Sequence, residues 1–198
     1  MDTRCILFLA AFACGGCGQD AEALPPAAGS PNPETQSTTP GRTRAMEVTW
    51  PSSAQIDQTT LAAVPPEARA QVASAPVPVL LPSYSELTGN GILVVKEHWY
   101  SFSARHDGLT VFVSATKLAH HYPSIAPIKG RDTVRGIPGF VTRNEGIWSA
   151  TWIEHGVSYT LEIECGNPAE SRCATDALLL QTAGDLAYVG GLGSRGAQ

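Results

Sequence analysis

Between Val157 and Cys165 apolar and polar residues alternate without a break. Val157, Tyr159, Leu161 and Ile163 fall on one side, and Ser158, Thr160, Glu162 and Glu164 on the other. A period of two fits an extended chain with one face buried and one wet. It excludes an amphipathic helix here, because helical apolar positions recur every three or four residues. One such strand cannot stand alone, so its neighbours must be strands too. His155-Gly156 turns into it from Ile147–Glu154, and Arg143-Asn144-Glu145-Gly146 turns into that run. Asp107-Gly108 separates Ile92–Arg105 from Leu109–Leu118, where Leu109, Val111, Val113 and Ala115 share a face opposite Thr110, Phe112, Ser114 and Thr116. Glycine after a polar residue, between β-rich runs, is a hairpin signal because both turn residues need positive φ. Thr133–Thr142 reads as a further strand, interrupted at Pro138-Gly139.

A helix is expected to close the domain. Thr175-Asp176 can cap it, Ala177, Leu179, Leu180, Ala183, Leu186 and Ala187 give it an apolar stripe, and Gly190-Gly191 ends it. Cys165 and Cys173 flank a short polar loop between the last strand and this helix. Their spacing favours a disulfide, worth about 2–3 kcal/mol by loop closure. A metal site would need further thiolates or histidines that the loop lacks. Pro76–Pro82 reads as an extended segment, either an edge strand or a polyproline stretch, since proline cannot serve a central ladder. The expected fold is α+β: an antiparallel meander of about five or six strands with a C-terminal helix on one face, spanning 76–191. A weakly structured lead-in, 47–75, carries a short helix at Pro65–Val72, and 192–198 is a tail.

With 13 Lys and Arg against 18 Asp and Glu, the net charge of −5 argues against a nucleic-acid partner and against a polybasic membrane binder. At the other end, Met1–Arg4 precedes an apolar run, Cys5–Ala13, followed by Cys14-Gly15-Gly16-Cys17. A charged start, a short apolar middle and small residues at the cut form a secretory leader over 1–17. The run is shorter than the ~20 residues of a spanning helix. Ala13-Cys14, or alternatively Gly16-Cys17, resembles the lipobox of bacterial lipoproteins. The resemblance implies that Cys14 (or Cys17) is acylated, that the membrane is a partner through this anchor, and that the mature chain lies in the cell envelope. In the lipoproteins that the leader resembles, aspartate after the cysteine favours the inner membrane; Gly15-Gly16, or Gly18-Gln19, has none, so the resemblance implies the outer membrane where the cell has one. An ordinary cleaved leader without lipid is the alternative. Residues 18–46, rich in Pro, Ala, Gly, Ser and Thr, read as a disordered tether.

Catalytic signatures are weak. Ser114-Ala115-Thr116-Lys117 matches the S-x-x-K pattern of penicillin-binding proteins, but strand alternation points its serine and lysine to opposite faces. His120-His121 are neighbours in an extended segment and diverge, so no metal site is assigned. His98, His106 and His155 are scattered. Lys129, Arg131, Arg135 and Arg143 form either a small anion-binding patch or a solvated face. Trp99, Trp148 and Trp152 either fill the core or line a ligand surface.

Trp152–Leu161 with the helix after it is similar to the close of an uncharacterised extracytoplasmic domain of bacterial anti-sigma regulators and lipoproteins. That resemblance spans about forty residues and implies no signalling role for a chain read without a spanning helix. The expected function is a non-enzymatic envelope binding module with no cofactor, whose partner is an envelope protein or a glycan. A small hydrolase of envelope polymers with a dispersed His/carboxylate site is one alternative, and an extracytoplasmic ligand sensor is another.

Overall fold

A computed structural model describes residues 41–193 except 124 and 168. The leader, Cys14, Cys17, most of the tether and residues 194–198 lie outside the described residues. Eleven strands and four α-helices alternate along the described chain. First come β1 (Arg42–Ala45), α1 (Gln58–Ala63), α2 (Pro66–Ser74), β2 (Val79–Pro82) and α3 (Ser85–Gly89). The strands β3 (Ile92–Val95), β4 (Trp99–His106), β5 (Leu109–Thr116) and β6 (Leu118–His121) follow. Then come β7 (Asp132–Val134), β8 (Ile137–Asn144), β9 (Ile147–Glu154), β10 (Val157–Cys165), α4 (Ala177–Gly184) and β11 (Leu186–Gly190). The fold is α+β, built on seven antiparallel strands rather than five or six, in the order β3-β4-β5-β10-β9-β8-β7. It is not one meander. Two meanders, β3-β4-β5 and β7-β8-β9-β10, join where β10 returns beside β5.

Four hairpins use two-residue turns with both φ values positive: Asp107-Gly108, Arg135-Gly136, Glu145-Gly146 and His155-Gly156. This twist matches the right-handed twist of the paired strands. The break expected at Pro138-Gly139 is displaced to Arg135-Gly136, and both Pro138 and Gly139 lie within β8. Gly139 is required there by close approach. A Cβ on it would stand 2.7 Å from the Thr151 carbonyl and 3.3 Å from the Trp152 Cβ.

One sheet face is covered by the β2–β11 ribbon and the helices, and the core lies between them. Alternation on β5 and β10 holds as expected, with Leu109, Val111, Val113, Ala115, Val157, Tyr159, Leu161 and Ile163 buried. The terminal helix is shorter than its stripe suggests. It stops at Gly184, and Leu186–Gly190 forms β11 against Val79–Pro82. Within the ribbon, β2 is wholly buried, so its unpaired edge needs polar partners from elsewhere. Tyr100 supplies them: its hydroxyl accepts from Leu80 N at 2.9 Å and donates to Leu80 O at 3.0 Å. Tyr159 donates to Pro78 O at 2.9 Å.

Two expected boundaries move. Val64, Ala68, Val72 and Ala75 sit in the same core as the sheet, so the lead-in belongs to the domain. Arg42–Ala45, assigned to the tether, pairs with His121–Leu118 as a strand. At the other end, Leu192 of the expected tail donates its N–H to Ala75 O at 2.9 Å.

Candidate binding surface

The three tryptophans do not share a surface. Strand register puts Trp152 opposite Tyr159 and Gly139 on the covered face, where it is 1% exposed and stacks on the Tyr159 ring at 5.5 Å. Trp148 lies at the margin of that face, donating Nε1–H to the Cys173 carbonyl at 3.0 Å beneath the Arg143 guanidinium. Trp99 is on the opposite, uncovered face, because its neighbours Tyr100 and Phe102 point into the core.

The four-residue basic cluster also divides. Arg135 is drawn inward: its Nε donates to Glu154 at 3.2 Å, and Nη1 donates to the Ala183 and Leu186 carbonyls at 2.7 Å. It ties the β7–β8 turn to the end of α4. Glu154 also accepts from Trp152 Nε1 at 3.0 Å, which commits this carboxylate to structure. Burial, the dominant cause, and then the Glu154 charge raise the pKa of nearby Tyr188. Burial likewise holds Tyr100 and Tyr159 protonated well above the usual phenol range.

Histidines stay dispersed. His98 pairs with Glu97, His106 meets Tyr84 edge to face, His120 meets Thr43 and Tyr122, and His155 meets Thr49 and Tyr188. His120 and His121 are exposed at the end of β6. Ser114 lies within β5 and Lys117 follows the strand, so the pair lacks the helical setting of an S-x-x-K nucleophile. Cys165 and Cys173 are joined in a disulfide with their Cα atoms 6.5 Å apart. Glu170 lies close to both sulfurs, but it pairs with Arg172 at 2.6 Å. With the sulfurs bonded to each other, no thiolate is left to hold a metal.

Hydroxyls floor the uncovered sheet face. One transverse row runs Val94, Ser101, Ser114, Thr160, Thr151, Phe140; the next runs Trp99, Thr116, Ser158, Ile153. Trp99 and Ile153 are three strand spacings apart, about 14 Å of hydroxyl-bearing surface. Apolar groups instead gather at the β8–β9 side. Tyr122, Ile125, Ile128, Phe140 and Ile153 are all exposed there. An open groove of ≈ 840 Å³ along His120–Ile128 and a smaller one of ≈ 320 Å³ along β8 and β9 share Ile128 and Phe140, so the strip is continuous. Ile125 and Ile128 stand on a loop shaped by Pro123 and Pro127, whose restricted φ limits how far it can fold back to bury them. Sequence reading missed this strip because the loop has no period, although two isoleucines among prolines were a usable sign.

No helix among the described residues is long and apolar enough to cross a membrane. Comparison with protein-family models, curated proteins and solved structures finds no match to this chain.

Proposed function

We propose that this chain is an exported module, held at a membrane by an acylated Cys14 (or Cys17), that works by binding rather than catalysis. The carrying observation is the continuous exposed strip of Tyr122, Ile125, Ile128, Phe140 and Ile153, because soluble surfaces rarely leave such groups contiguous without a partner. Export is supported by the buried Cys165–Cys173 bond, a feature of oxidising compartments. Binding is favoured over hydrolysis by the dispersed histidines and by Glu154 being engaged with Arg135 and Trp152. A single acyl chain gives only marginal attachment, so the proposed anchor carries more than one. Metabolic labelling with a radioactive fatty acid, followed by fractionation, tests the reading. Label should enter the membrane-bound protein and vanish in Cys14→Ser, or in Cys17→Ser if that site is used. Unlabelled protein in the soluble cell interior contradicts it.

A further inference from the structure

At the end of β10, opening a single covalent bond would complete the donor set of a metal site. The sulfurs of Cys165 and Cys173 and a carboxylate oxygen of Glu170 all lie within 4.8 Å of one another. The Cα atoms of the cysteine pair are 6.5 Å apart, at the wide end of the roughly 4.4–6.8 Å that a disulfide allows. That spacing also suits two thiolates on one ion. Zinc at about 2.3 Å from each sulfur, in a tetrahedron, sets the sulfurs about 3.8 Å apart. Both cysteines are buried, whereas the Glu170 side chain is 35% exposed, so the group opens to solvent on its carboxylate side.

Backbone bonds hold these donors independently of the sulfur bond. Cys165 pairs with Leu109 in the β10–β5 ladder, and Gly166 N–H donates to the Gly108 carbonyl at 2.7 Å. Glu170 N–H donates to the Asn167 carbonyl and Cys173 N–H to the Glu170 carbonyl, each at 3.0 Å. The Cys173 carbonyl in turn accepts from Trp148 Nε1–H at 3.0 Å. Arg172 pins the loop to the β4–β5 turn, its Nη2 donating to the Asp107 carbonyl at 2.6 Å. The charges balance as well. Two thiolates and a carboxylate around a divalent cation leave −1, and the Arg172 guanidinium already stands 2.6 Å from Glu170. A carboxylate has two oxygens with several lone pairs, so this pairing is compatible with a bond to a metal.

We propose that in the reduced chain Cys165, Cys173 and Glu170 form a three-ligand site for a thiophilic divalent cation of the zinc type. The disulfide and the metal are then alternative occupants of one place. Thiol–disulfide exchange with a dithiol reductant passes two electrons and two protons to the pair, and the dithiol leaves as its own disulfide. The cation displaces the two thiol protons, and Glu170 and one water complete the tetrahedron. Soft sulfur donors select zinc or cobalt over magnesium or calcium. The test uses the full chain with Cys5→Ser, Cys14→Ser and Cys17→Ser, which leaves Cys165 and Cys173 of the five cysteines. Zinc sulfate followed by calorimetry and cobalt(II) followed by absorbance serve as probes, before and after reduction by a phosphine. The reduced chain should bind one equivalent and show the thiolate-to-cobalt charge-transfer band in the near ultraviolet, and the oxidised chain should do neither. Excess magnesium should not compete. Glu170→Gln should weaken binding by about tenfold or more, and Cys165→Ser with Cys173→Ser should abolish it. Circular dichroism of the same samples reports whether the sheet persists. Equal binding before and after reduction, binding that survives the double cysteine variant, or affinity unchanged in Glu170→Gln overturns the proposal. So does a reduced chain that keeps its sheet and takes no metal, or one that loses its sheet, because the donors would then no longer be held.

Discussion

Removing one oxygen from Tyr100 should destabilise the domain far more than the same deletion at Tyr159. Both side chains are fully buried, and Phe preserves their shape. They differ in what they leave behind. The Tyr100 hydroxyl serves both the N–H and the carbonyl of Leu80, on the edge of β2 that faces away from β11. Leu80 is itself fully buried, so water cannot replace the lost bonds. Two orphaned backbone groups at about 1–3 kcal/mol each put Tyr100→Phe at about 2–6 kcal/mol. Tyr159 serves one carbonyl, that of Pro78, and its loss should cost about 1–3 kcal/mol, half the Tyr100 penalty. Urea unfolding with an unchanged slope would report the difference as a shift in midpoint. Each kcal/mol should lower the melting temperature by about 2–4 °C in a domain of this size. Equal destabilisation, or a larger loss at Tyr159, would refute the reasoning that the number of stranded backbone groups sets the penalty.

Three further outcomes are expected. Arg135→Met should cost about 3–5 kcal/mol, since it strands a largely buried Glu154 and the carbonyls of Ala183 and Leu186; a denaturation cycle with Glu154→Gln should show coupling above about 0.5 kcal/mol. Reducing Cys165–Cys173 should lower the urea midpoint by an amount equivalent to about 2–3 kcal/mol, with the sheet retained by circular dichroism. Because burial raises the pKa of Tyr100 and Tyr159, the folded state keeps protons that the unfolded state releases above about pH 10. Stability should be intact below that pH and then fall by about 3 kcal/mol per pH unit from these two groups, as titration followed by the tyrosinate absorbance would record.

Residues that carry their own instructions were readable. The β5 and β10 alternation needed only a sheet with one covered face, and Asp107-Gly108 and His155-Gly156 are turns that local chemistry specifies. Failures arose where a distant segment decides. Leu186 and Ala187 continue the helical stripe, yet the ladder with Val79–Pro82 takes them as a strand. Arg135-Gly136 carries the same polar-glycine signal as the other turns and went unread beside Pro138-Gly139, whereas the contacts of the Arg135 side chain with Glu154, Ala183 and Leu186 depend on segments distant in sequence. Asp57 caps α1 by accepting from Thr60 N at 2.7 Å, a signal that was present and went unread beside the prolines downstream. The tryptophans illustrate the limit for the binding surface. Trp148 and Trp152, four residues apart on one strand, share a face, but only register shows that this face is the covered one and that Trp99 is on the other.

Intact-mass measurement of the protein recovered from the membranes of producing cells bears most directly on the account. The expected species begins at Cys14 or Cys17, carries the added mass of acyl chains on that residue, and lacks two hydrogens for the Cys165–Cys173 bond. A chain of full length from Met1, unmodified, with reduced thiols and found in the soluble cell interior, would contradict it.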